Sequence, residues 1–311
     1  MRKVLTDYDG ILIDTEWAKG LGWYIACLSL RDDEPDVNEQ LIKEIEQGKE
    51  SARRIVEQLA REREKEVEIA KSFGGGTRYE FAKRIWQRFY VGETKEPDEK
   101  EKEFIVNVLT PQRGRIRGPV LEWFSKPIDE NLRFFKELYE AFKETYGDEH
   151  PIGLITLSKS KGLKEQFEWT KDGVTIWRAF PELPHIFGEF GERGYPYAEC
   201  AGDKGIAYKG LSEKEVKTAA YKILCGKLGI EPSDTMTFED TEDGVNAACD
   251  ASVFCVVGYK AKNSPHNLYR ADVIVEGSLY KLKDLIPVIL REDASDVALA
   301  IEEYLENSGQ D

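Results

Sequence analysis

Sulfur is scarce in this chain of 311 residues, with two methionines and five cysteines. Cys27, Cys200, Cys225, Cys249 and Cys255 are odd in number and scattered, and no two stand as Cys-x-x-Cys. That spacing argues against a disulfide framework and predicts reduced thiols in a cytosol. Cys225 and Cys249 fall in helical patterns and Cys255 in an apolar run, which makes them small core residues by expectation. Long apolar runs are also missing: no stretch approaches the roughly eighteen residues of a membrane span. Met1-Arg2-Lys3 leads straight into a short strand with no apolar leader region, so the expected location is cytoplasmic. Positive charge is the minority sign, 44 Lys and Arg against 59 Asp and Glu, a net of −15. Such a balance repels nucleic acid and anionic membranes at long range, and neither is an expected partner. What is present is a 41% hydrophobic content, enough to build the core of one large domain or two modest ones.

The pattern along the chain alternates strands and helices, interrupted early by a long helical stretch. Val4-Leu5 reads as a short buried strand. Residues 16 to about 110 read as mostly helical, with Leu41-Ile42, Ile45, Ile55-Val56 and Leu59-Ala60 recurring at helical spacing. Gly74-Gly75-Gly76 breaks the pattern, Tyr79 to Tyr90 resumes it, and 91–103 reads as a polar link. Pro127 to Tyr146 is an amphipathic helix, followed by a strand at 151–157 and a short helix at 161–169. Residues 170–209 are rich in glycine and proline and read as an insertion with two short strands. A helix at 212–228, strands at 235–238, 253–257 and 272–275, and helices at 244–251, 286–290 and 294–305 complete the chain. Apolar strands alternating with helices indicate an α/β fold, a Rossmann-like parallel sheet covered by helices on both faces, with an inserted, mainly α-helical cap. The expected division is core at 1–15, cap at 16–125, core again at 126–291 with the insertion near 170–209, and a C-terminal helix at 292–311.

Two acidic clusters stand where apolar strands run out. In Val4-Leu5-Thr6-Asp7-Tyr8-Asp9-Gly10, strand alternation points Asp7 and Asp9 the same way and Tyr8 away. Two carboxylates so placed repel unless a cation or a proton lies between them, so the pair is a metal site or an acid/base pair. The second cluster is Phe238-Glu239-Asp240-Thr241-Glu242-Asp243-Gly244. Hard oxygen ligands from two strand ends suit magnesium. In parallel sheets ligands bind beyond the carboxyl ends of the strands, where Asp7, Thr156 and Asp240 all fall.

These residues resemble the haloacid dehalogenase (HAD) superfamily. Asp7-x-Asp9-Gly10 is similar to its first motif, Thr156 to the Ser/Thr of its second, Lys217 to its lysine, and Glu239-Asp240-Thr241-x-x-Gly244 to its last. Lys214 is the alternative lysine, because the Lys-Pro-x-Pro form of the nearest subfamily is absent. Thr156-x-Ser158-Lys159 and Gly75-Gly76-Thr77-Arg78 resemble segments of β-phosphoglucomutase and its phosphatase relatives, which implies that Arg78, Ser158 and Lys159 bind substrate. The insertion at 170–209 has no counterpart in that pattern. The resemblance implies a magnesium-dependent phosphomonoester hydrolase acting on a small soluble phosphate ester, such as a sugar phosphate. Asp7 would be the nucleophile that forms an aspartyl-phosphate and Asp9 the general acid and base, while Thr156 and Lys217 hold the phosphoryl oxygens. Asp7, Asp9, Asp240 and Glu239 would hold Mg2+. The alternatives are a sugar phosphomutase, which uses the same four core residues, and a catalytically idle phosphate-binding protein. A dehalogenase is disfavoured, since that branch dispenses with the second aspartate that Asp9 supplies.

Overall fold

A computed structural model describes residues 3–73, 78–92, 94–147, 152–158, 163, 170–171, 174–175, 198–200, 211–261, 264, 266–291 and 296–308, without the side chains of 78, 170–171, 174–175, 198–200 and 308. It divides into two compact units, Met1–Ile13 with Pro127–Asp311, and Asp14–Lys126. The chain passes between them twice.

The first unit is built on six parallel strands: β1 (Lys3–Thr6), β2 (Ile152–Thr156), β3 (Ala198–Cys200), β4 (Thr235–Glu239), β5 (Cys255–Lys260) and β6 (Val273–Glu276), in the order β6-β5-β4-β1-β2-β3. β1 lies near the middle, with Thr6 level with Leu154 on one side and Phe238 on the other. Its neighbours cover both edges and helices cover both faces, so Lys3 to Thr6 are buried throughout, which explains an apolar rather than alternating strand.

Each face carries its own helices. Val4, Leu154, Phe238 and Val257 share a core with Leu132, Phe135, Leu138 and Phe142 of helix α1 (Asp129–Tyr146) and with Val297 and Ile301 of the terminal helix Val297–Ser308. The i, i+3, i+6, i+10 spacing on α1 is the stripe expected of a helix with one dry side. On the opposite face Leu5, Ile155 and Val256 pack on Ala220, Tyr221 and Leu224 of α2 (Glu213–Leu228) and on Val245, Ala247 and Ala248 of α3 (Glu242–Asp250). Helix α2 starts with a capping box, the Ser212 hydroxyl accepting from Glu215 N while the Glu215 carboxylate accepts from Ser212 N, and stops at left-handed Gly229.

The reading of 170–209 needs correcting in its described parts. Thr170–Lys171 and Val174–Thr175 do form an antiparallel pair, but Ala198–Cys200 is a strand of the main sheet, β3, at its edge beside β2. Three residues are too few to announce a strand by pattern. The helix expected at 161–169 lies outside the described residues except for Leu163, and the glycine run 74–76 lies outside them too.

The second unit is helical: Glu16–Leu28, Glu39–Glu46, Glu50–Glu62, Glu64–Ser72, Arg78–Ile85 continued by a wider π turn at Trp86–Val91, Glu99–Phe104 continued likewise at Ile105–Leu109, and Thr110–Phe124. Its core gathers Leu21, Trp23, Ile42, Val56, Trp86 and Ile116. Ile55 is an exception to the expected stripe, being exposed while Ala52, Val56 and Ala60 face inward. The polar link at 91–103 contains a helix start, where Asp98 and Glu101 form a second capping box. No helix among the described residues is long and apolar enough to cross a membrane.

Candidate active site

The site grows from the register of β1 and β4. Leu5 pairs with Thr237 and Thr6 with Phe238, and Asp7 N donates to Phe238 O at 3.0 Å, so Asp7 comes level with Glu239 as both strands end. Alternation turns Leu5, Asp7, Thr237 and Glu239 to the face under α2. That helix presents Lys217, Ala220, Tyr221 and Leu224, one turn apart in pairs, as its buried stripe. An ammonium is thereby lowered onto two carboxylates: Lys217 Nζ donates to Asp7 Oδ2 at 2.5 Å and to Glu239 Oε2 at 2.8 Å. Lys214, a turn earlier, instead pairs with Asp250 at 2.8 Å on the surface.

Asp7, Glu239 and Asp240 are all buried, and one carboxylate oxygen from each lies within 4.8 Å of the others. Backbone geometry holds them there. Tyr8 N donates to Asp7 Oδ1 at 2.7 Å, while the Tyr8 ring turns to the other face and is wholly buried, as alternation requires. Gly10 has a φ of +81° and lies so close to Asp240 that a Cβ would stand 1.7 Å from Oδ2. A Cβ added to Gly244, in the first turn of α3, would likewise stand 2.0 Å from Glu239 Oε2. The Thr241 hydroxyl caps that helix by accepting from Gly244 N at 3.1 Å.

Thr156 ends β2 with its side chain buried, its hydroxyl oxygen accepting from Ser158 N at 3.1 Å. Ser158 Oγ in turn donates to Asp9 Oδ2 at 3.3 Å, which brings the second aspartate of the first motif and the Thr-x-Ser segment together. Asp9 is only partly buried, unlike Asp7. Lys159 lies outside the described residues, as do the three that precede Arg78, and the Arg78 side chain is not described.

Two contributors escaped the sequence reading. Tyr221 OH donates to Glu239 Oε1 at 2.5 Å and lies 2.9 Å from Thr237 Oγ1. Its place four residues after Lys217 is the one signal that could have found it. Asn131, fully buried on α1, donates to Ile11 O at 2.8 Å and accepts from Leu279 N at 2.9 Å, tying the loop after Gly10 to the segment at 279.

The electrostatics follow from burial. Desolvation pulls the Lys217 ammonium down, but Asp7 and Glu239 outweigh it and hold its pKa above the ordinary lysine value. Desolvation pushes the Glu239 carboxyl up, to about 7, against the pull of Lys217 and with Asp7 adding to the rise. The Tyr221 phenol is raised well above its usual value, first by burial and then by Glu239. Asp7 and Glu239 accept from the one ammonium, and Asp240 brings a third carboxylate oxygen within 4.8 Å of theirs. Hard oxygen donors gathered so closely fit a divalent cation of the magnesium kind.

No protein-family model matches the sequence, and no curated protein does. Among solved structures, a HAD family hydrolase from Deinococcus radiodurans R1, with bound phosphate and sodium, aligns over 93% of this chain and 97% of its own, with a TM-score of 0.53 and 14% identity. A predicted phosphoglycolate phosphatase from Haemophilus somnus 129pt aligns over 94% and 98%, with a TM-score of 0.51 and 18% identity. Identities this low speak for fold and not for substrate. The alignment runs almost end to end in both chains, and what it shows is the fold: this parallel sheet with helices on both faces is folded as the haloacid dehalogenase (HAD) family hydrolase is.

Proposed function

We propose that the protein is a magnesium-dependent phosphomonoester hydrolase working on a small phosphate ester in the cytosol. The observation that carries this reading is the buried Asp7 with Lys217 on one oxygen and two further carboxylates beside it. A carboxylate fixed at a strand end by Tyr8 N and an ammonium is oriented to attack phosphorus, and the same ammonium offsets charge on an incoming phosphoryl group. The nucleophile would carry the phosphoryl group as an aspartyl-phosphate. Asp9, partly exposed and touching Ser158, is placed to protonate the leaving alcohol and then to take a proton from water. Thr156 and Ser158 supply hydroxyls at the neighbouring strand end to phosphoryl oxygens.

Asp7 and Asp240, with the Asp9 carbonyl, would hold magnesium, which when bound neutralises charge on the transferring group. Each Glu239 oxygen already accepts a hydrogen bond, so Glu239 mainly balances charge and places Lys217. Arg78 and Lys159 keep their proposed part in substrate binding.

The deciding assay is phosphate release from sugar phosphates, nucleotides and p-nitrophenyl phosphate, with and without magnesium. Release that needs magnesium, vanishes in Asp7→Asn and survives in Lys214→Ala is the expected result. Wild-type protein inert towards every ester sinks the hydrolase; phosphate migration on a hexose phosphate primed with a bisphosphate would then mark a mutase.

A further inference from the structure

We propose that Tyr221 is a positioning residue of this site, whose hydroxyl fixes Glu239 so that Lys217 stays on Asp7. The hydrogen-bond order is set by counting protons. Tyr221 has one, and its partner at 2.5 Å, Glu239 Oε1, is a carboxylate oxygen, so the tyrosine donates there. Thr237 Oγ1, 2.9 Å away, therefore donates to the tyrosine oxygen. The result is a buried chain running from Thr237 through Tyr221, Glu239 and Lys217 to Asp7. Linked donors of this kind polarise one another.

The match is geometric. Thr237 and Glu239 are two residues apart on β4, roughly 6.6 Å along a strand. Lys217 and Tyr221 are four apart on α2, about 6 Å along a helix. The helix thus lays one donor on each Glu239 oxygen, Lys217 on Oε2 and Tyr221 on Oε1. Remove the phenol hydroxyl and Oε1 loses that donor in a site where Glu239 has no exposed surface. The carboxylate then turns to recover a partner, and it takes with it the ammonium shared with Asp7. A tyrosine that merely filled space would need only its ring.

The kinetic arm of the test rests on the hydrolase reading; the unfolding arm does not. In Tyr221→Phe the ring is kept, and kcat for p-nitrophenyl phosphate should fall about tenfold while KM stays within about twofold. Thr237→Val, which leaves Tyr221 in place, should lower kcat by a smaller factor, about threefold, and carries the kinetic arm if Tyr221→Phe does not fold. In urea unfolding, Tyr221→Phe and Glu239→Gln should shift the midpoint together by less than the sum of their separate shifts. Wild-type kcat in a folded Tyr221→Phe, or additive midpoint shifts, overturns the proposal. An inert wild type removes the hydrolase reading alone, since additivity in unfolding still decides the role of Tyr221.

Discussion

At Gly10 the side chain that is missing matters more than any neighbour that is present. Its φ of +81° disfavours any Cβ, and the atom itself would fall 1.7 Å from Asp240 Oδ2. Gly10→Ala should leave the sheet and its circular dichroism intact yet push Asp240 out of the acidic cluster, cutting kcat about 100-fold, as displacements near 1 Å do elsewhere. Wild-type turnover in Gly10→Ala would show that Asp240 does not need its present position. The same residue shows what the sequence could disclose. Asp7, Glu239 and Asp240 stood out because charges that follow apolar strands break a rule that burial otherwise enforces, whereas Lys217 was singled out over Lys214 only by the resemblance of its spacing to Asp240. Tyr221 and Asn131 broke no such rule. A tyrosine in an apolar stripe reads as core, and one asparagine in an amphipathic helix reads as surface, so their hydrogen bonds became visible only with the fold.

Among the elements, the helix Glu16–Leu28 meets Glu64–Ser72 closely enough to demand a glycine. A Cβ on Gly20 would come within 2.7 Å of Lys71 N, a backbone atom that has no rotamer with which to yield. Gly20→Ala should therefore force the two helices apart at a cost of about 1–3 kcal/mol, which outweighs the roughly 1 kcal/mol that a glycine-to-alanine change normally gains in a helix. Urea unfolding measures it directly, and a stabilised variant would contradict the contact. Helices with a clear apolar stripe, such as α1, were legible from spacing alone. Thr110–Phe124 was not, since Gly114, Gly118 and Pro119 within it are residues that ordinarily end helices. Contacts compensate: Arg115 reaches Glu39 at 2.9 Å and Glu46 at 3.0 Å, and Gln112 reaches Ser29 at 3.1 Å. Strand β3 was hidden for the opposite reason, having too few residues to show any period.

For the molecule as a whole, the charge of −15 and the three clustered carboxylates lead to the expectation that stability answers to cations. Magnesium that binds only the folded state stabilises it by about 2.7 kcal/mol at some hundred times its Kd. Millimolar magnesium should thus raise the thermal midpoint where sodium at equal ionic strength does not, and Asp240→Asn should remove most of the increment. The increment should also depend on pH. Without the cation, Glu239 has a pKa raised from 4.5 to about 7, so its contribution to stability is complete below 4.5 and is lost as pH rises through 7. A cation competes with that proton, and the gain from magnesium should grow between about pH 5 and pH 8. A midpoint indifferent to magnesium at pH 8 would argue against any cation in the cluster.

The position of β1 in the sheet carries a consequence for how the protein comes into being. Asp7 is translated long before both strands that flank β1, Ile152–Thr156 and Thr235–Glu239, and Lys217 lies 210 residues downstream of it. During synthesis that short apolar segment waits without its sheet partners until those two strands have followed it out of the ribosome. Pairings of such sequence separation close slowly, and a nascent strand left open is where wrong partners are met. The last of these chemical groups to arrive, on β4 and just beyond it, completes the sheet around β1 and the site together, so a truncated chain that stops short of residue 235 has neither.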